Sequence, residues 1–388
     1  MAVGSNSGQA LSIESVSGIS GLSLPPEKVL LMLATSEKTL GGIAAVVKTY
    51  RAGGLFERVS IRHVATHVDG TRLVKGLRFV GSLAETLSLL LSRRVAAVHA
   101  HVSSSASFWR KSMLLLLCRR FGVPSIFHLH SGRFADWVAQ GRGGVARRWW
   151  IRNTLESSDV VIVLTSTWAD WIKKFAPRAN VKVLSNPVSV PTTALLPADR
   201  ASASGPGRVL YLGWIYDFKG CYDLLRSWAL FRSHCPGWRL AVGGKGEVDR
   251  FLAEAERLGV RDDIDFLGWV AGEAKDWELR RADVFVLPSY SEGMPVSVLE
   301  AMAYGVAVIT TPVGVVPDMM KPDVHGLWVQ PGDIQGMCDR LIQLARSPPL
   351  RAKLAEAARL HVVQNSSVEA VIEALLKIYS QLLRKPAV

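Results

Sequence analysis

Two carboxylates, Glu292 and Glu300, flank a turn of the kind that holds anions. They lie in Ser289-Tyr-Ser-Glu292-Gly-Met-Pro-Val-Ser-Val-Leu-Glu300-Ala-Met-Ala-Tyr-Gly305, just after the apolar run Val284-Phe-Val-Leu287. The run reads as a strand and the polar stretch as a turn. Pro295 reads as the first residue of a helix, where a missing N–H costs nothing. Unpaired amides and the helix dipole then converge at the Gly293-Met294-Pro295 turn. Such a turn suits a diphosphate. Carboxylates on either side of it suit hydroxyls, so the set fits a sugar nucleotide.

Other residues could extend such a site. Gly41-Gly42 follows the first expected strand and opens a helix, so its amides could meet donor phosphate and the reacting sugar; tight strand–helix packing is the other reading. Gly243-Gly244-Lys-Gly246 ends another strand in a tight turn suited to close approach by phosphate or sugar, with Gly244 a donor-binding candidate, yet it is no dinucleotide fingerprint, because the third glycine position falls on Asp249. Histidines come in two alternating pairs, His99/His101 and His128/His130, each pair on one strand face. The four cysteines, at 118, 221, 235 and 338, have no Cys-x-x-Cys spacing and offer the histidines no metal companion. Asp263-Ile-Asp265 enters a strand where a metal-binding pair would end one, and reads as surface charge. No metal or cofactor is expected.

Arg147-Arg148-Trp149-Trp150-Ile-Arg152 mixes cations with indoles. That mixture suits a lipid headgroup layer, a single nucleic-acid strand, or a plain helix with buried Trp and solvated Arg. Charge favours the first. Residues 1–196 hold 24 Lys+Arg against 10 Asp+Glu, a balance of +14, while the rest holds 22 against 23, a balance of −1. The whole excess of +13 therefore lies in the first half, where it would attract anionic lipid, lipid diphosphate or nucleic acid, or serve solubility alone. No nucleic-acid-binding motif is present to direct it elsewhere.

The elements that must position these groups alternate along the chain. Strands are expected at Val29-Leu33, Ile61-Ala65, Val95-His99, Ser125-Leu129, Val160-Leu164 and Val181-Leu184. A second series is expected at Val209-Leu212, Arg239-Val242, Ile264-Leu267, Val284-Leu287, Val306-Thr310 and Gly326-Val329. Helical patterns separate them, so each series predicts a parallel, doubly wound sheet that binds ligands at its carboxyl ends. The expected division is a flexible Ser/Gly-rich tail over 1–26, a first domain over 27–193, a linker over 194–207, a second domain over 208–365 and a closing helix over 366–388. The tail lacks a signal-peptide pattern, and the Leu-rich stretches are far shorter than the roughly 20 residues of a membrane span. The cysteines read as reduced, and the chain as cytoplasmic.

The Glu292–Gly305 segment and the strand after it, Val306-Ala-Val-Ile-Thr310, closely resemble the signature of retaining GT-B glycosyltransferases of family 4, group 1. The resemblance is clearest over 205–345 and extends over 29–190. It implies an α/β GT-B fold, two Rossmann-like domains facing a central cleft, with the last helix packing back across the junction. It implies a nucleoside-diphosphate-sugar donor, with Glu292 on sugar hydroxyls, Glu300 on the ribose and Lys219 on the diphosphate. Gly293, Met294 and Pro295 would cradle the phosphates, and backbone near Val270 would read the base. His130 would lie under the transferred sugar, with His101 nearer the acceptor. Two positions depart from the family: Trp214 stands where a second phosphate-binding Arg is usual, and Pro187 replaces a Gly after Asn186. The reaction implied moves a hexose, mannose favoured, to a polyprenyl-diphosphate-linked glycan in surface polysaccharide synthesis, on the inner face of the plasma membrane. A sugar-nucleotide epimerase on the same fold, or a basic nucleic-acid-binding protein, are the alternatives.

Overall fold

The computed structural model describes residues 24–39, 41–141, 143–191 and 207–384. Most of the expected tail, and the expected linker apart from Gly207, lie outside the described residues. The first sheet consists of β1 (Val29–Thr35), β2 (Ile61–His67), β3 (Val95–Val102), β4 (Ser125–Leu129), β5 (Val160–Val163) and β6 (Val181–Val183), all parallel in the order β2-β1-β3-β4-β5-β6. The helices around it are α1 (Gly42–Ala52), α2 (Leu55–Arg58), α3 (Arg72–Leu91), α4 (Ala106–Arg120), α5 (Phe134–Gln140), α6 (Gly144–Glu156) and α7 (Ser166–Phe175).

The second sheet repeats the plan. It consists of β7 (Arg208–Leu212), β8 (Arg239–Gly243), β9 (Ile264–Gly268), β10 (Val284–Leu287), β11 (Ala307–Thr310) and β12 (Leu327–Trp328), parallel in the order β12-β11-β10-β7-β8-β9. Its helices are α8 (Cys221–His234), α9 (Val248–Arg257), α10 (Glu273–Arg281), α11 (Val296–Ala303), α12 (Val316–Met319), α13 (Ile334–Arg346) and α14 (Pro348–Ser366). Strands covered on both faces are mostly apolar, and β4, β5, β7, β10 and β11 are buried along their whole length, with Ser125, His128, Arg208 and Thr310 as their buried polar residues. The last helix, α15 (Val368–Leu383), packs Val371, Ile372, Leu375 and Tyr379 against Leu30, Met32, Val46 and Tyr50 of the first domain.

Several local expectations change, among them β1, which runs to Thr35, and β3, which runs to Val102. The β2 strand runs to His67, past Ala65. The edge strand β12 is only Leu327–Trp328, because only those residues register with Ile309 and Thr310. Pro295 stands one place before α11 and not within it: its ψ of 100° is extended, and Val296 is the first helical residue.

Candidate functional site

The carboxyl ends of the two sheets meet. The turn after β10 carries Glu292, and the turn after β4 carries His130. A side chain at Gly132 would lie 2.6 Å from the Glu292 carbonyl oxygen and 2.8 Å from Gly293 Cα, so glycine is what lets these turns touch. The same carbonyl is approached from the other side by Gly314, whose φ of +59° and missing Cβ, which would stand 1.8 Å away, leave no alternative residue. Met294 bridges the seam as well, its sulfur accepting from the Asn186 backbone N–H at 3.4 Å.

Glu292 is buried and held at one oxygen by two donors. Lys219 Nζ lies 2.6 Å from Oε1, and the Ser289 hydroxyl donates to the same atom at 2.6 Å. Lys219 gets there from the turn after β7 because Gly220 is left-handed and abuts the Pro288 carbonyl, where any Cβ would clash at 2.1 Å. Glu300, one face further along α11, pairs with Lys275 of α10 at 2.5 Å. Burial pushes its carboxyl above the usual carboxylate range, and Lys275 opposes that shift. Sequence reasoning missed Lys275 and Ser289. A lone lysine 25 positions from its partner leaves no local signal.

The glycine turns divide. Gly41 and Gly42 are exposed, and a side chain at either would meet nothing within 4 Å, so packing does not explain them. Gly244 behaves differently. Its N–H donates to the Gly268 carbonyl at 2.7 Å, and a Cβ there would stand 2.2 Å from the Gly213 carbonyl. Gly244 therefore holds two turns together, and its amide has no capacity left for a phosphate. Trp214, at the expected Arg position, joins an aromatic series with Trp269 at 5.4 Å and Tyr216 at 6.1 Å between ring centres. Val270, next to Trp269, is half-buried.

The four histidines stack into one cluster of two separate hydrogen-bonded sets, with His99, His101 and His128 buried and His130 half-buried. Tyr379 of α15 meets His99 Nδ1 at 2.7 Å, His99 Nε2 meets His128 Nδ1 at 3.1 Å, and His101 Nδ1 meets His130 Nε2 at 2.8 Å. Burial holds His130 down to about 3, with Asn186 opposing and Lys111 assisting, so it is neutral near pH 7. A neutral imidazole offers a hydrogen bond without a charge. His101 is fully buried and cannot face an acceptor directly; it orients His130. His99, His101 and His128 offer nitrogens within 4.8 Å of one another, yet both His99 nitrogens are already engaged, which suits a hydrogen-bonded chain better than a metal.

Comparison with known proteins agrees with this layout. Residues 195–361 match the family described as glycosyl transferases, group 1, and residues 42–187 match the glycosyl transferase 4-like domain. This chain belongs to the group 1 glycosyltransferases. Glycogen synthase of Mycobacterium tuberculosis is 26% identical over 300 residues, covering 74% of this chain and 69% of that protein. A lipopolysaccharide core biosynthesis glycosyltransferase, LpsE of Rhizobium meliloti, is 28% identical over 233 residues, 59% of this chain and 65% of that one. Anabaena HepE, solved in complex with UDP and glucose, superposes with a TM-score of 0.67 at 17% identity, covering 91% of this chain and 99% of that one. The architecture is GT-B, two Rossmann-like domains facing a cleft.

Elsewhere on this glycosyltransferase the charged and aromatic motifs resolve differently from expectation. Arg147 is buried, donating to the carbonyls of Val138 at 3.1 Å and Trp137 at 2.7 Å, with its guanidinium over the Trp137 ring. It closes α6 onto α5 and cannot meet lipid. Trp150 is half-buried and donates its indole N–H to Ser112. Arg148, Trp149 and Arg152 of that group are exposed, and Arg152 is paired with Glu156. Asp263 pairs with Arg232 at 2.9 Å and Asp265 with Arg208 at 2.5 Å, so both carboxylates already have cations. Among the described residues no helix is long and apolar enough to cross a membrane.

Proposed function

We propose that this enzyme transfers a hexose, with retention of configuration, from a nucleoside-diphosphate sugar to a polyprenyl-diphosphate-linked glycan during surface polysaccharide synthesis. One observation carries the donor side: the Lys219–Glu292 pair at the end of β10, pressed against the His130 turn across the domain seam. Lys219 and the amides before α11 stabilise the diphosphate as it leaves. Glu292 and neutral His130 hold hydroxyls of the sugar, Glu300 holds the ribose, and backbone at Val270 lies at the base. The exposed amides of Gly41 and Gly42 face the reacting sugar from the other domain. No side chain is assigned as a covalent nucleophile.

Mannose from a GDP-linked donor is the leading substrate, on the family resemblance. A UDP-linked glucose is the second reading, favoured by the likeness to HepE. The lipid-linked acceptor rests on the +14 balance of the first half and on the likeness to LpsE. On this reading the enzyme works at the cytoplasmic face of an anionic membrane and takes no nucleic acid.

The test is a panel of sugar nucleotides, with a lipid-linked oligosaccharide as acceptor and the anomeric configuration of the product read by NMR. Turnover of one donor with retention is expected. An inverted product, or a donor epimerised with no acceptor present, would overturn the reading.

A further inference from the structure

The α3 helix is apolar on two faces: Leu90, with Phe79, Leu83 and Leu89 beside it, packs on the first-domain core, and a second apolar line faces outward. Leu73, Leu77, Val80, Ala84, Leu87 and Leu91 all face solvent. The large ones are far from covered, at 71% for Leu73, 63% for Leu77, 62% for Val80 and 66% for Leu91. At 100° per residue these six positions fall within about 40° of one line down the helix, a stripe about 27 Å long. The face turned to the protein mixes Leu90 and its apolar neighbours with Ser82 and Thr86, both fully buried, and the Thr86 hydroxyl has no partner among the described residues. A surface helix normally keeps its outer face polar. Contiguous exposed apolar area of this kind marks a surface that is covered in use.

Charge identifies the cover. Arg72 and Lys75 stand at one end of the stripe, and Arg93 and Arg94 at the other. The one acid within α3, Glu85, is neutralised by Arg62 at 2.6 Å. An apolar line framed by cations matches a leaflet whose acyl boundary lies beneath anionic headgroups. The helix is not long and apolar enough to span.

We infer that α3 lies in the interface of an anionic bilayer through Leu73, Leu77, Val80, Leu87 and Leu91, and that this helix, not the Arg147–Trp150 segment, is the membrane-docking surface. The inference deepens the membrane part of the proposed function and does not depend on which sugar moves. Docking there brings the end of β2, which leads into α3, next to the lipid.

Sedimentation with phosphatidylglycerol/phosphatidylcholine vesicles tests it, using the full chain. Leu77→Ser with Val80→Ser should lower the partition coefficient about tenfold or more, since the exposed side chains do not support the core. Arg72→Gln with Lys75→Gln should weaken binding to anionic vesicles and leave the weak binding to neutral ones unchanged. Trp149→Ser should bind as the parent does. Circular dichroism verifies the fold of each variant. Unchanged binding by the Leu77/Val80 variant, or binding lost in Trp149→Ser instead, overturns the inference. So does a dimer that the Leu77/Val80 variant converts to a monomer, which would give the stripe to a second copy. Donor hydrolysis in detergent-free buffer, measured in parallel, separates a failed docking surface from a failed transferase reading.

Discussion

Lys219 Nζ and Glu292 Oε1 stand 2.6 Å apart, joined across 73 positions of sequence. The cation expected on a diphosphate and the carboxylate expected on a sugar hydroxyl are thus one hydrogen-bonded unit, with Ser289 donating to the same oxygen. A sugar nucleotide bound here would meet both groups already oriented.

Removing either partner should therefore remove much of the function of both. Glu292→Ala and Lys219→Met are each expected to lower transfer about tenfold or more, while the double variant loses clearly less than the product of the two. Initial rates at saturating acceptor, fitted as a double-mutant cycle, check this. Independent, multiplicative losses would show that the two groups act separately and not as one unit.

The contact at Gly132 predicts a defect in activity without one in folding. Gly132→Ala forces a Cβ to within 2.6 Å of the Glu292 carbonyl, at a seam between domains and outside either core. Transfer should fall about tenfold or more with a melting temperature nearly unchanged, because a small displacement of a reacting group is costly in rate. A normal rate in this variant would mean that the seam opens during turnover.

Lys111 gives a pH-dependent prediction. It is fully buried on α4, and Ser107 at 2.9 Å is its hydrogen-bond partner. Burial depresses its ammonium to about 7, with Arg110 assisting. The unfolded chain holds that proton up to its ordinary, higher value, so between the two the unfolded state binds more protons and stability rises with pH. The cost of the buried lysine is complete below about pH 7 and fades as pH climbs toward the ordinary lysine range. Lys111→Met should stabilise by on the order of a few kcal/mol near pH 7 and by much less near pH 10. Denaturant melts of the parent and variant at the two pH values measure the difference; a gap that widens at high pH would refute it.

Transfer should survive EDTA. Lys219 and the turn amides supply the positive charge at the diphosphate, and Asp263 and Asp265 are tied to Arg232 and Arg208. Activity lost on chelation and restored by manganese or magnesium would return a divalent ion to the donor site.

Much of this architecture can be read from the chain alone. Short apolar runs separated by helical patterns dictate two parallel sheets, since strands buried on both faces have few polar positions to show. The Glu292–Gly305 segment is equally legible, because a strand, a turn and a helix start occupy consecutive residues and their chemistry is local. What only the tertiary structure decided involves partners far apart in sequence. Lys275 finds Glu300, Gly132 admits Glu292, and His128 reaches Tyr379 of the last helix through His99. The sequence also could not say which side of an amphipathic helix meets protein. Arg147 reads as a surface cation but fits a carbonyl-lined slot, and α3 turns Leu90 to the core while Leu73, Leu77 and Leu91 face outward. Periodicity defines the faces of a helix; only the packing of its neighbours determines which face is buried.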